Sequence, residues 1–116
     1  MHDIPSQREE ARRLQAQGVE QIVISQGAAG VNWFGPGLAL HARPPRVAVA
    51  STVGAGDALL AGMVHGLLRG WTAERTLRHA TAIAAQAVTQ VGFGILDAAQ
   101  LQQLEGAVTV RALPEQ

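Results

Sequence analysis

Residues 50–68 read ASTVGAGDALLAGMVHGLL, and how this stretch is read decides the fold. An apolar lead-in reaches Thr52 and Val53. Gly54, Ala55 and Gly56 then form a turn of small residues, and from Asp57 an apolar run continues to Arg69. The pattern is strand, tight turn, helix. The first amides of a helix have no intrahelical partner and stand at the positive end of its dipole. Small residues there let an anion reach the backbone, so the turn can hold a phosphate without a lysine. Asp57 does not suit simple phosphate binding, because a carboxylate repels the anion. It suits a base that takes a proton from a hydroxyl attacking phosphorus. The plainer alternative is that Asp57 caps the helix and the glycines only turn the chain; local chemistry leaves both open. Two familiar loops are excluded. There is no glycine–lysine P-loop, and Leu59 stands where a dinucleotide fingerprint needs its third glycine.

Working outward, the N-terminal side alternates helix and strand. Ser6 and Glu9 have capping-box spacing, predicting a helix over residues 7–17 that stops at Gly18, with Glu9 and Arg13 paired four apart. VEQIVIS, residues 19–25, is β-branched and apolar and reads as a strand buried on both faces. QGAAG turns the chain. VNWFG and LALHA are predicted to form a hairpin around Gly35, Pro36 and Gly37, with Trp33 and Phe34 packed into it. The Pro44 and Pro45 pair reads as a linker, and RVAVAS, residues 46–51, as another strand. On the C-terminal side, helix 57–69 is apolar on nearly all sides and is expected to be largely buried. Gly62 and Gly66, four apart, would let another backbone come close. Thr72 is expected to cap a helix over residues 73–90 with a stripe of Leu77, Ala80, Ile83, Ala84, Ala87, Val88 and Val91. VGFG breaks it, Asp97 caps a short helix to about Leu104, and AVTVRAL ends the chain as a strand. Arg75 and Arg78 read as a solvated helix face, and the four histidines as structural or solvated groups.

Composition removes several function classes. The 116 residues carry nine basic and nine acidic side chains, a formal net charge of zero, which gives no sign of a nucleic-acid or anionic-membrane partner. Every basic residue is arginine, so no lysine is present for a Schiff base or P-loop. No cysteine is present, which excludes disulfides, zinc–thiolate sites and thiol nucleophiles and fits a cytoplasmic setting. The opening MHDIPSQREE has no apolar signal core, and the apolar runs are too short and broken to predict a membrane span.

STVGAGDALLAGMVHG resembles the second signature of the PfkB/ribokinase carbohydrate kinases, in which a T-x-G-A-G-D segment precedes a buried helix. The segment VISQGAAGVNWF is similar to the strand, S/T-x-G-x-x-G turn and strand that lie along the nucleotide in that family. HATAIAAQAVTQVGFG resembles the helix and glycine turn that complete its adenine pocket. The nearer likeness, carried also by IVISQGAAGV and TLRHATAIAAQAV, is to the 1-phosphofructokinases and their tagatose-6-phosphate kinase relatives.

The resemblance spans roughly residues 8–104 and implies an α/β fold, the C-terminal half of a ribokinase-like three-layer αβα sandwich. Residues 1–116 would then be a single nucleotide-binding part, with the N-terminal sugar-binding half and lid absent and the fragment inactive alone. It implies Asp57 as catalytic base and Gly54, Ala55 and Gly56 as an anion hole. Ser25, Gln26, Gly27, Ala28, Ala29, Gly30 and Gly56 would be nucleotide-binding positions. The implied cofactors are ATP and the Mg2+ arriving with it; the implied partner is a sugar phosphate, with fructose 1-phosphate converted to fructose 1,6-bisphosphate. A half sheet leaves apolar surface, so association with a second copy or with the missing N-terminal half is expected. A non-catalytic nucleotide- or phosphate-binding module is the competing reading.

Overall fold

The computed structural model describes residues 4–47, 54–89 and 98–113. Helix α1 (Ile4–Ala16) leads to β1 (Ile22–Ser25), a short 3-10 turn (Gly27–Ala29), β2 (Val31–Gly35) and β3 (Leu38–Arg43). Helices α2 (Ala55–Arg69), α3 (Ala73–Val88) and α4 (Ala98–Ala107) follow, and β4 (Thr109–Ala112) closes the order. The four strands form one antiparallel sheet in the order β1-β2-β3-β4.

Strand periodicity sorts the side chains into three layers. Val31, Trp33 and Ala42 face α2, α3 and the segment after α4, where they pack with Leu59, Met63, Leu77, Ala80 and Val108. Ile22 and Phe34, paired across β1 and β2, face the other way onto Ala11 of α1, with Leu113. The molecule is therefore helix, sheet, helices: the α/β sandwich expected.

Several local expectations hold for visible reasons. Gly18, at φ 100°, closes α1: its N–H donates to the Gln15 carbonyl while that of Val19 donates to Leu14, the bonding of a Schellman end. Pro36 and Gly37, the latter at φ 66°, join β2 to β3, and Trp33 and Phe34 are buried there. The Thr72 hydroxyl accepts from the Arg75 N–H at 3.2 Å and caps α3. Gly62 and Gly66 are where α2 and α3 touch: a Cβ on Gly62 would sit 2.6 Å from the Ala80 Cα, and one on Gly66 2.5 Å from the Thr76 hydroxyl.

Others are corrected. α1 begins ahead of Ser6, which lies inside its first turn rather than at the cap position expected. Arg13 pairs with Glu10 rather than Glu9. β1 is shorter than expected and is not buried on both faces. Among the described residues it stands at the end of the sheet, its inner residue Ile22 meeting α1 while Val23 stays 37% exposed. Residues 44–47 carry no strand, and the rest of the stretch expected to form one lies outside the described residues. Helix α2 is not buried all round: Leu59, Gly62, Met63 and Gly66 are buried, whereas Leu60, Val64, Leu67 and Leu68 are exposed. On α3, Thr81, Ala82, Ala85 and Gln86 are buried along with the expected Leu77 and Ala80. Val91, the VGFG break and the Asp97 cap lie outside the described residues.

Candidate functional site

The first turn of α2 has the geometry its sequence asks for. Gly54 is the N-cap at φ 85° and ψ −5°, a left-handed conformation that glycine adopts without strain. Its carbonyl accepts the first helical bond, from Ala58 at 2.9 Å. The amides of Ala55, Gly56 and Asp57 thus precede the intrahelical ladder, and no side chain caps them among the described residues. Asp57 stands exposed in this turn and forms no ion pair with a cation among the described residues.

Gly56 is the informative position. Its φ is not positive, and nothing lies within 4 Å of where its Cβ would be. Among the described residues neither backbone conformation nor packing requires glycine here, and glycine costs about 1 kcal/mol against alanine in a helix interior. The missing side chain leaves room above the free amides.

The second segment folds as a compact turn between β1 and β2. Gln26 donates its N–H to the Gly30 carbonyl at 2.8 Å, and the Gly30 N–H returns a bond to Gly27 at 3.0 Å. Gly27, at φ 59°, has open space where a Cβ would be. Gly30, at φ 110°, is pressed on the carbonyl of Ala42 and the ring of His41. Gly30 is thus accounted for by packing and Gly27 is not.

These segments meet at a cavity of about 330 Å³. Ser25, Gly27 and Ala28 form one wall, Ala55 of α2 the end, and Thr81, Ala84, Ala85 and Val88 of α3 the other wall. Of the residues singled out by sequence, Ser25, Gly27, Ala28 and Ala55 line this space; Gln26, Ala29, Gly30, Gly54, Gly56 and Asp57 do not. Asp57 and Gly56 sit beside it, on the same helical turn as Ala55. Sequence reasoning missed Val31, Pro44, Pro45, Arg46 and Val47, which complete the lining. The proline pair had the look of a linker, and only the return of the chain from β3 brings it against the β1–β2 turn. The cavity is mainly apolar with a few polar groups, as small-molecule sites are.

The remaining titratable groups serve the framework. Asn32 donates from Nδ2 to the Gln7 side chain at 2.6 Å and accepts at Oδ1 from His41 Nδ1 at 2.7 Å, so the His41 ring carries its proton on Nδ1. Burial, with Arg111 and Arg43 nearby, holds His41 below the usual imidazole range. Arg78 is not the solvated residue expected: it donates to the carbonyls of Glu105 and Val108 and pairs with Glu74. His79 Nδ1 meets Glu105 Oε1 at 2.5 Å. Among the described residues no cluster of three or more metal-ligating side chains occurs, and no helix is long and apolar enough to cross a membrane.

Residues 2–99 match the pfkB family carbohydrate kinases. The chain is 48% identical over 103 residues to 1-phosphofructokinase from Vibrio cholerae, covering 89% of this chain and 32% of that protein. It is 45% identical over 103 residues to 1-phosphofructokinase from Escherichia coli K12, covering 89% of this chain and 33% of that one. Phosphofructokinase-2 from Escherichia coli in complex with substrates and products has the same fold, with a TM-score of 0.79 at 24% identity over 90% of this chain and 34% of that one. Its tetrameric inhibited form gives a TM-score of 0.75 at 23% identity, covering 90% of this chain and 33% of that one. The chain thus spans about a third of the length of these relatives.

Proposed function

The chain belongs to the pfkB family of carbohydrate kinases, and from that premise we propose that it is the nucleotide-binding, base-bearing part of an ATP-dependent sugar-phosphate kinase. With 1-phosphofructokinases among its relatives, the acceptor we propose is fructose 1-phosphate, giving fructose 1,6-bisphosphate. The nucleotide base enters the cavity between the β1–β2 turn and α3, and the phosphates run toward the first turn of α2. The single observation that carries this reading is Gly56: a helical glycine that, among the described residues, neither conformation nor packing demands, beside amides that no described side chain caps.

In this mechanism Asp57 takes the proton of the acceptor hydroxyl as its oxygen attacks the γ-phosphorus. The amides of Ala55, Gly56 and Asp57 receive the charge developing on the transferred group. The bond from phosphorus to the β,γ-bridging oxygen breaks, and ADP leaves. Mg2+ arrives with the nucleotide and neutralises phosphate charge. Asp57 stands exposed and, among the described residues, forms no ion pair that would occupy its carboxylate. The acceptor site belongs to the two thirds of such kinases that this chain does not span. The fragment is therefore proposed to bind nucleotide without turnover until it associates with that part, in the cytoplasm.

Calorimetric titration with Mg-ATP tests the proposal. The chain is expected to bind, and Gly56→Val to fold equally well yet lose binding at least tenfold. Equal binding by both would overturn the anion-cradle reading. The competing reading, a binding module without catalysis, draws on the placement of Asp57 outside the cavity lining. In a kinase completed with its sugar-binding part, absence of phosphoryl transfer supports the module; where transfer occurs, a steep fall in kcat for Asp57→Asn with ATP affinity unchanged supports the base, and unchanged kcat overturns the base role.

A further inference from the structure

His41 stands behind the β1–β2 turn. It is buried, and it is the cross-strand partner of Asn32. Both point to the α1 side of the sheet, where Asn32 bonds Gln7, while the cavity lies on the side of α3. The ring meets the turn at Gly30. A Cβ there would sit 2.9 Å from His41 Cε1 and 3.1 Å from Nε2, so the edge of the ring abuts the glycine. Gly30 closes the turn twice, accepting the N–H of Gln26 and donating its own to Gly27. A chain of contacts therefore runs from Gln7 of α1 through Asn32 and His41 to a turn whose Ser25, Gly27 and Ala28 line the cavity.

The charge on the ring decides what faces Gly30. With its one proton on Nδ1, donated to Asn32 Oδ1, neutral His41 presents a bare Nε2. The charged groups facing the ring are Arg43 of its own strand and Arg111, its partner on β4. Arg8 of α1 lies over Phe34 instead, and Gln7 and Asn32 are neutral. An imidazolium here would be a third cation, with no ion pair to a carboxylate among the described residues. A buried charge without such a partner is costly, so the charged ring is driven toward water and withdraws its support from Gly30.

We propose that His41 is a positioning residue for nucleotide binding: its neutral ring, fixed by Asn32, holds the β1–β2 turn in the shape that takes the nucleotide, and a proton on Nε2 releases the turn. The inference rests on the nucleotide reading of this turn and adds to it a residue on the far side of the sheet, which touches no ligand and acts through Gly30.

The test is calorimetric binding of ATP in excess Mg2+ between about pH 7.5 and about pH 5.5, at a temperature where each chain is folded. The chains are the unmodified one, His41→Gln, which cannot titrate, and Asn32→Asp. Over this range the unmodified chain is expected to lose about 3- to 10-fold more affinity than His41→Gln, since a binding site that excludes one proton weakens by up to tenfold per pH unit. Asn32→Asp sets a carboxylate against Nδ1, which favours the charged ring, so its loss is expected to begin at higher pH. A purely structural role for His41 would change affinity at every pH alike. Parallel profiles for the unmodified chain and His41→Gln, or a loss in Asn32→Asp that begins no earlier, overturn the inference and leave the nucleotide reading standing. No ATP binding by the unmodified chain at about pH 7.5 overturns that reading, and the inference with it.

Discussion

A single buried histidine sets one pH response of this chain. His41 is 7% exposed, donates from Nδ1 to Asn32, and lies near Arg43 and Arg111. Burial first, then these two cations, push its pKa down from the ordinary value near 6.5. Above that value neither state binds the proton. Below it the unfolded chain takes a proton that the folded chain resists, so stability falls as pH drops through about 6.5 toward the folded-state pKa, where the loss is complete. Thermal unfolding at about pH 7.5 and about pH 5.5 is expected to show a larger fall in Tm for the unmodified chain than for His41→Gln. Equal falls would remove His41 as the cause. This site was not legible in sequence: nothing marks His41 as a partner of Asn32, nine residues away, until β2 and β3 pair them. The glycines were more legible. Gly54 is where a left-handed cap is needed, and Gly56 is set apart by what it leaves empty, which only coordinates reveal.

At the scale of elements, the contact of α2 with α3 holds the candidate site together, because one helix carries the amides and the other the cavity wall. The contact is built on Gly62 against Ala80 and Gly66 against Thr76. The spacing of the two glycines foretold it. Gly62→Ala would place its methyl 2.6 Å from the Ala80 Cα, where the neighbour is backbone and cannot swing aside. Overpacking of this kind costs about 1–3 kcal/mol, against about 1 kcal/mol gained in helix propensity. The net expectation is a Tm lowered by several degrees and weaker ATP binding; a Tm at or above the unmodified value would show that the helices can separate freely. The packing of α4 on α3, by contrast, was hidden. Arg78 read as part of a solvated helix face and His79 as a structural or solvated group, yet together they hold the end of α4 through Glu105 and Val108, 26 to 30 residues on. Local periodicity cannot show a partner at that distance, and a cation at a helix C-terminus is favoured only once the helix is docked there.

Across the whole molecule, the face of α2 turned away from the core is an apolar surface that no described residue covers. Leu60 is 63% exposed, Val64 and Leu67 each 46%, and Leu68 83%, and their spacing puts them on one side of the helix. The sequence suggested a largely buried helix, because a run apolar on nearly all sides gives that pattern. What covers the outer side is not among the described residues, and the chain spans about a third of its curated relatives. Each such side chain, if fully buried, would contribute roughly 1.5–3 kcal/mol, so two isolated chains that face each other along this stripe gain enough to associate at high concentration. Sedimentation or light scattering of the isolated chain is expected to show association that grows with concentration. The double variant Leu60→Gln, Leu68→Gln is expected to shift the balance toward monomer without lowering Tm, since both side chains already face solvent. A compact monomer at every concentration would mean that the stripe is tolerated in water. Association unchanged in the double variant would point instead to β1, which no described strand pairs on its outer side and where Val23 is 37% exposed, since an unpaired strand edge can recruit another strand.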